Sequence, residues 1–136
     1  MLAFLDASAL IYLTEGKEPF ATSARGTLQG LATRHPSLRV ALSRLTWLEC
    51  RIAPMKANDS STLRQYDSFF AKADLQWVEL TRDVVELAAV VRVRHNLRTP
   101  DALQAACCLQ LGDKHHFLTG DAAFQRVEGL NVIVLK

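Results

Sequence analysis

The sequence predicts an α/β fold built on a mainly parallel sheet. Short runs of strand length alternate with longer stretches of helical periodicity from one end of the chain to the other. Several of the short runs are apolar throughout, with no polar alternation, as strands covered on both faces must be. Most of the longer stretches open on a residue type that caps helices.

Met1–Leu5 (MLAFL) reads as the first strand, wholly apolar and central, and Ser8–Leu13 as the opening turns of a helix. Ala21–Arg34 is the second helix. Leu38–Leu42 (LRVAL) is a strand, and Ser43 caps the helix Arg44–Met55. Asp59 caps Ser60–Ala73. Gln76–Leu80 (QWVEL) is a weaker, partly alternating strand, expected at an edge of the sheet. Thr81 caps a long helix to about His95, with Val84, Leu87, Ala88 and Val91 on one face. Thr99 is read as the cap of the next helix, Pro100 as its first residue and Leu111 as its end, where Gly112 stops it. HHFLT (115–119), a short helix over 122–127 and a last strand NVIVL (131–135) complete the chain. About five strands and six or seven helices result. There is no internal repeat, low-complexity tract or linker-like stretch, so residues 1–136 are expected to form one domain.

A chain of 136 residues is long enough to bury a core without disulfides or structural metal. Hydrophobic residues at 49% and charged residues at 22% are an ordinary globular balance, and a net charge of +2 decides nothing about a nucleic-acid partner. Cys50, Cys107 and Cys108 are odd in number and fall in predicted helices, without zinc-site spacing, so they are expected to be buried, reduced thiols. The apolar opening lacks a preceding Lys or Arg, is interrupted by Asp6, and is followed by Glu15, Lys17 and Glu18, which argues against a secretion signal. No stretch reaches the roughly 18 apolar residues of a membrane span. A soluble, cytoplasmic protein is expected.

Of the fourteen acidic residues, ten fall at caps, in turns or on polar faces. Four do not. Asp6 ends the first strand, at the carboxyl edge of the sheet, where α/β folds place their ligand crevice. Glu49 lies in the helix after the second strand with Leu45, Leu48 and Ile52 around it, so its carboxylate shares an apolar face unless it pairs with a base such as Arg51. Asp101 sits in the first turn of the nearly all-apolar helix TPDALQAACCLQL, and Asp121 follows the strand HHFLT. Any one of Asp6, Asp101 and Asp121 is accounted for by helix capping or the helix dipole. Together they place four carboxylates where one sheet edge gathers them. Such a cluster stays ionised only if cations neutralise it, and all-oxygen ligands suit Mg²⁺ or Mn²⁺ in phosphate chemistry.

These residues carry a resemblance. FLDASALIYL, LTWLEC, LRTPDALQAA and FLTGDAAF, in that order and across the whole chain, resemble the four acidic motifs of PIN-domain proteins, and specifically of VapC-type toxins, the ribonuclease half of a VapBC toxin–antitoxin pair. The resemblance implies a three-layer α/β/α fold and a site formed by Asp6, Glu49, Asp101 and Asp121. It also implies Mg²⁺- or Mn²⁺-dependent endonucleolytic cleavage of RNA by water, leaving a 5′-phosphate and a 3′-hydroxyl. Ser8 and Thr119 fall where the family often has hydroxyls supporting the cluster. The family further implies a homodimer and a VapB-type antitoxin seated in a hydrophobic groove, for which Leu10, Ile11, Tyr12, Phe20, Trp47, Phe69 and Phe70 are candidates.

Arg44, Arg51, Arg92, Arg94 and Arg98 lie near helix starts and ends and are candidates for gripping an RNA backbone. A haloacid-dehalogenase-type phosphatase would need a second Asp where Ser8 stands, and a phospho-receiver domain an early acidic pair where Asp6 stands alone. The remaining alternatives are a PIN nuclease of RNA processing outside a toxin–antitoxin pair, and a non-catalytic binding module whose acids are only caps.

Overall fold

The computed structural model describes residues 1–136. Its centre is a five-stranded, all-parallel sheet in the order β3-β2-β1-β4-β5, formed by β1 (Leu2–Leu5), β2 (Arg39–Ser43), β3 (Gln76–Val78), β4 (His115–Thr119) and β5 (Val132–Val134). The first strand is indeed central and the weak QWV strand is at an edge. Phe4 pairs in register with Ala41 on one side and Phe117 on the other.

Alternation along the strands divides the core into two layers. Phe4, Ala41 and Phe117 point to the face covered by α5 (Arg82–His95), α6 (Thr99–Leu109) and a 3₁₀ turn (Ala122–Arg126). Ala3, Leu5, Leu42 and Leu118 point to the face covered by α1 (Ala7–Glu15), α2 (Phe20–Arg34), α3 (Arg44–Lys56) and α4 (Ser60–Phe70). The result is the expected three-layer α/β/α arrangement. Because every strand runs the same way, the residues that follow β1, β2 and β4 all emerge at one edge.

Two expectations need correction. Thr99 does not cap α6: Arg98 occupies the cap position without a side-chain bond, and Thr99 and Pro100 are already helical. The buried stripe of α3 is Thr46, Cys50 and Pro54, whereas Leu48 and Ile52 are exposed. Glu49 therefore lies beside a narrow stripe of small and polar residues, not on a face shared with Ile52. Strand and helix ends otherwise agree or move by up to three residues. The cysteines are buried, and burial pushes the thiols of Cys50 and Cys107 up to about 12 and that of Cys108 up as well, so none is a reactive thiolate. No helix is long and apolar enough to cross a membrane.

Phe117 lies between Phe4, with ring centroids 5.3 Å apart, and Phe124, at 4.7 Å, all fully or almost fully buried. Phe117→Ala is expected to lower stability by about 3–5 kcal/mol in urea unfolding, because the two neighbouring rings lose a shared partner across the sheet.

Candidate functional site

Four chain segments meet at the carboxyl edge of the sheet around an open cleft of about 190 Å³. Its lining includes Asp6, Ser8, Glu49, Arg98, Asp101, Gln104, Asp121 and Phe124. All four acids singled out from the sequence are therefore brought to one place.

Asp6 is the anchor. It leaves β1 in extended conformation (φ −75°, ψ 177°) and caps α1, its Oδ1 accepting the Ala9 N–H at 2.9 Å and the Ser8 hydroxyl at 2.7 Å. Its Oδ2 accepts the Thr119 hydroxyl at 2.5 Å. Ser8 and Thr119 in turn hold the next segment: Ser8 Oγ accepts the Gly120 N–H at 3.0 Å, and Thr119 Oγ1 accepts the Asp121 N–H at 3.0 Å. A carboxylate just beyond β1 is thus wired through two hydroxyls to the backbone that presents Asp121. Gly120 permits this approach, since a Cβ there would overlap the Tyr12 phenol.

Asp121 accepts the Ala123 N–H at 2.9 Å and so caps the 3₁₀ turn, while the residue stays exposed. Asp101 is in the first turn of α6, where the dipole favours a negative charge, and Arg98 reaches it at 3.4 Å from the preceding turn. Glu49 leans from α3 towards α6 and accepts a hydrogen bond from Gln104 Nε2 at 3.1 Å. It does not pair with Arg51, which is engaged by Asp67 and stacks over Trp47.

Burial sets the electrostatics. Asp6, only 5% exposed, has its carboxyl pushed up to about 6 by loss of water, against the opposing pull of its Thr119, Ser8 and Ala9 donors, with the Asp101 charge adding to the rise. Half-buried Glu49 is raised chiefly by burial and also by Asp101, and held down by Gln104 and Arg98. The cleft is short of positive charge. Four carboxylates with no His or Cys among the lining residues make an oxygen-only donor set that fits a hard divalent cation. No three of them are gathered closely enough to form a ready-made cage.

Of the five candidate arginines, Arg98 alone lines the cleft. Arg44 is held by both oxygens of Glu79 (3.1 and 2.7 Å) and lies over Trp77. Arg92 donates to the Leu97 carbonyl, and Arg94 borders a shallow apolar depression on α5. Gln104 was not singled out from the sequence. The only available signal was its being the one polar residue in Ala102–Leu109.

Residues 3–130 match the family model of the PIN domain. The chain belongs to the PIN-domain family. No curated protein matches it in sequence, but solved structures share its fold. The VapBC2 complex of Rickettsia felis, bound to a promoter DNA fragment, includes a chain with a TM-score of 0.79 at 16% identity, covering 100% of both chains. VapBC-1 of nontypeable Haemophilus influenzae gives 0.74 at 17% identity over 98% of each chain. VapC20 of Mycobacterium tuberculosis, described as a sarcin-ricin loop cleaving toxin, gives 0.69 at 16% identity, over 90% of this chain and 92% of that one. The PIN fold of these VapC-type structures is thus shared along nearly the whole chain, while identities this low carry the fold alone.

The raised Asp6 carboxyl makes stability depend on pH with a definite sign. Below its ordinary 3.8 the group is protonated in the folded and unfolded chain alike. Between there and about 6 only the unfolded chain releases its proton, so folding loses stability as pH rises, on the order of 3 kcal/mol across the window. Urea unfolding of the protein free of divalent ions is expected to show this fall, and Asp6→Asn to flatten it. An unchanged slope in Asp6→Asn would place the pH dependence elsewhere.

Proposed function

We propose that this PIN-domain protein is a divalent-metal-dependent endoribonuclease, the toxin of a type II toxin–antitoxin pair. The observation that carries the reading is the convergence of Asp6, Glu49, Asp101 and Asp121, from four separate segments, on one cleft at the sheet edge of a PIN fold. RNA as substrate is supported by VapC20, a structural neighbour named for cleaving the sarcin-ricin loop. An antitoxin partner is supported by neighbours solved as VapBC complexes.

Asp6, Glu49, Asp101 and Asp121 would hold Mg²⁺ or Mn²⁺. Bound there, the ion would neutralise charge on the phosphodiester and would supply Lewis acidity for attack by water. The chain's own contribution is positional. Ser8 and Thr119 fix both oxygens of Asp6 and, through Gly120 and Asp121 N–H groups, the segment carrying Asp121. Arg98, whose side chain is 81% exposed and lines the cleft, would contact a backbone phosphate, a contact that positions RNA without reading its sequence. The other four arginines have partners elsewhere or lie away from the cleft, so Arg98 is the leading candidate among them.

An antitoxin is expected along the α1–α2–α4 side, where Tyr12, Phe20, Phe69 and Phe70 are only half-buried; Leu10 is fully buried and not available. A homodimer is expected through α5, which exposes Val85, Val90 and Val93.

RNA cleavage with Mn²⁺ tests the activity. Asp6→Asn and Asp121→Asn are expected to lower the rate by at least about a hundredfold while leaving circular dichroism unchanged, and excess chelator to abolish it. Full cleavage in either variant or in chelator would refute the metal-nuclease reading. Absence of Mn²⁺-dependent stabilisation in the wild type would favour a binding module whose acids are only caps.

A further inference from the structure

Gln104 is the one polar side chain buried inside α6, 2% exposed, and every hydrogen-bonding group of its amide is used. Its Oε1 accepts the Ser43 hydroxyl at 2.7 Å. Its Nε2 donates to Thr46 Oγ1 at 2.9 Å and to Glu49 Oε1 at 3.1 Å. The direction of each bond follows from the next. Ser43 caps α3 by accepting the Thr46 N–H at 3.1 Å, which leaves its own proton to give to Gln104. With the amide oxygen so engaged, the Gln104 nitrogen must face α3, and its two protons meet Thr46 and Glu49. The amide is locked in one orientation, because a flipped one would set its oxygen against the Glu49 carboxylate.

We propose that Gln104 is a positioning residue that fixes Glu49 in the acidic cleft. Buried, fully satisfied polar groups specify one arrangement, and partners behind a ligating carboxylate typically set metal affinity by orienting it. Gln104 holds Oε1 of Glu49 from the protein side, and Glu49 lines the cleft together with Asp101. It sits three residues after Asp101 on the same helix, so one rigid element carries an acid and the side chain that aims another. The role rests on the metal-site reading above, which supplies the reason for aiming Glu49.

The test is a double-mutant cycle read by Mn²⁺ binding in calorimetry, with unfolding curves as a control on folding. Gln104→Met is expected to weaken Mn²⁺ binding about tenfold or more. In a Glu49→Ala background the same substitution is expected to change Mn²⁺ binding less than twofold, while its effect on unfolding persists. Equal losses in both backgrounds would show that Gln104 acts through packing and overturn the proposal. Unchanged Mn²⁺ binding in Gln104→Met would overturn it while leaving the metal site standing, whereas a wild type that binds no Mn²⁺ would overturn both. A metal-independent measurement accompanies it. Both Gln104 side-chain amide protons are expected to give slowly exchanging NMR signals, and Glu49→Ala to accelerate exchange at one of them. If neither proton responds, the contact itself is refuted.

Discussion

A carboxylate buried at the end of the central strand governs the architecture of this edge of the molecule. Asp6 has almost no contact with water, so its charge is sustained only by the donors that surround it. Those donors are Ser8 and Ala9 from the start of α1 and Thr119 from the end of β4. To keep them within reach, β1 and β4 must be neighbours, parallel and in the register that sets Leu5 beside Leu118. The pairing of β1 with β4 and the position of the cleft therefore meet at one side chain.

The demand is met incompletely. Three donors do not offset the loss of hydration, and the carboxyl stays raised, with Asp101 adding to the rise. A group that only capped a helix would gain from full exposure to water at its other oxygen. Asp6 instead turns that oxygen inward to Thr119, whose hydroxyl also receives the Asp121 backbone. Capping and site-building are therefore the work of the same side chain, and the two descriptions of Asp6 do not compete. The same is true of Asp121, which caps the 3₁₀ turn and lines the cleft. Loss of hydration at Asp6, with a smaller addition from the Asp101 charge, is the tension that a divalent cation bound there would relieve.

The parts of this arrangement legible in the sequence were those encoded locally. An acid straight after an apolar run, as at Asp6, or just beyond a strand-length run, as at Asp121, marks the end of a strand, and parallel topology then carries it to a shared edge. Asp101 was legible from Thr-Pro at a helix start, although the cap itself fell one residue earlier, at Arg98. The surroundings of Glu49 were misread because apolar residues in α3 fit more than one helical face. Contact with α1, α4 and α6 selected the stripe of Thr46, Cys50 and Pro54, leaving Leu48 and Ile52 outside. Gln104 was hidden for a related reason: its partners Thr46 and Ser43 lie 58 and 61 residues away, and no local pattern announces them. Arg44 and Arg51 likewise found their carboxylates at Glu79 and Asp67, which a count of basic residues near helix ends does not foresee.

The cleft between Asp6, Glu49, Asp101 and Asp121 is proposed to be a cation site. Paramagnetic broadening by substoichiometric Mn²⁺ locates such a site directly, in the intact protein and without a substrate. Amide signals of Ala7, Ser8, Gly120, Asp121 and Ala122 are expected to broaden first, with α2 and the exposed face of α5 untouched until Mn²⁺ is in excess. Broadening centred on other acids, or none at these residues, would contradict the account.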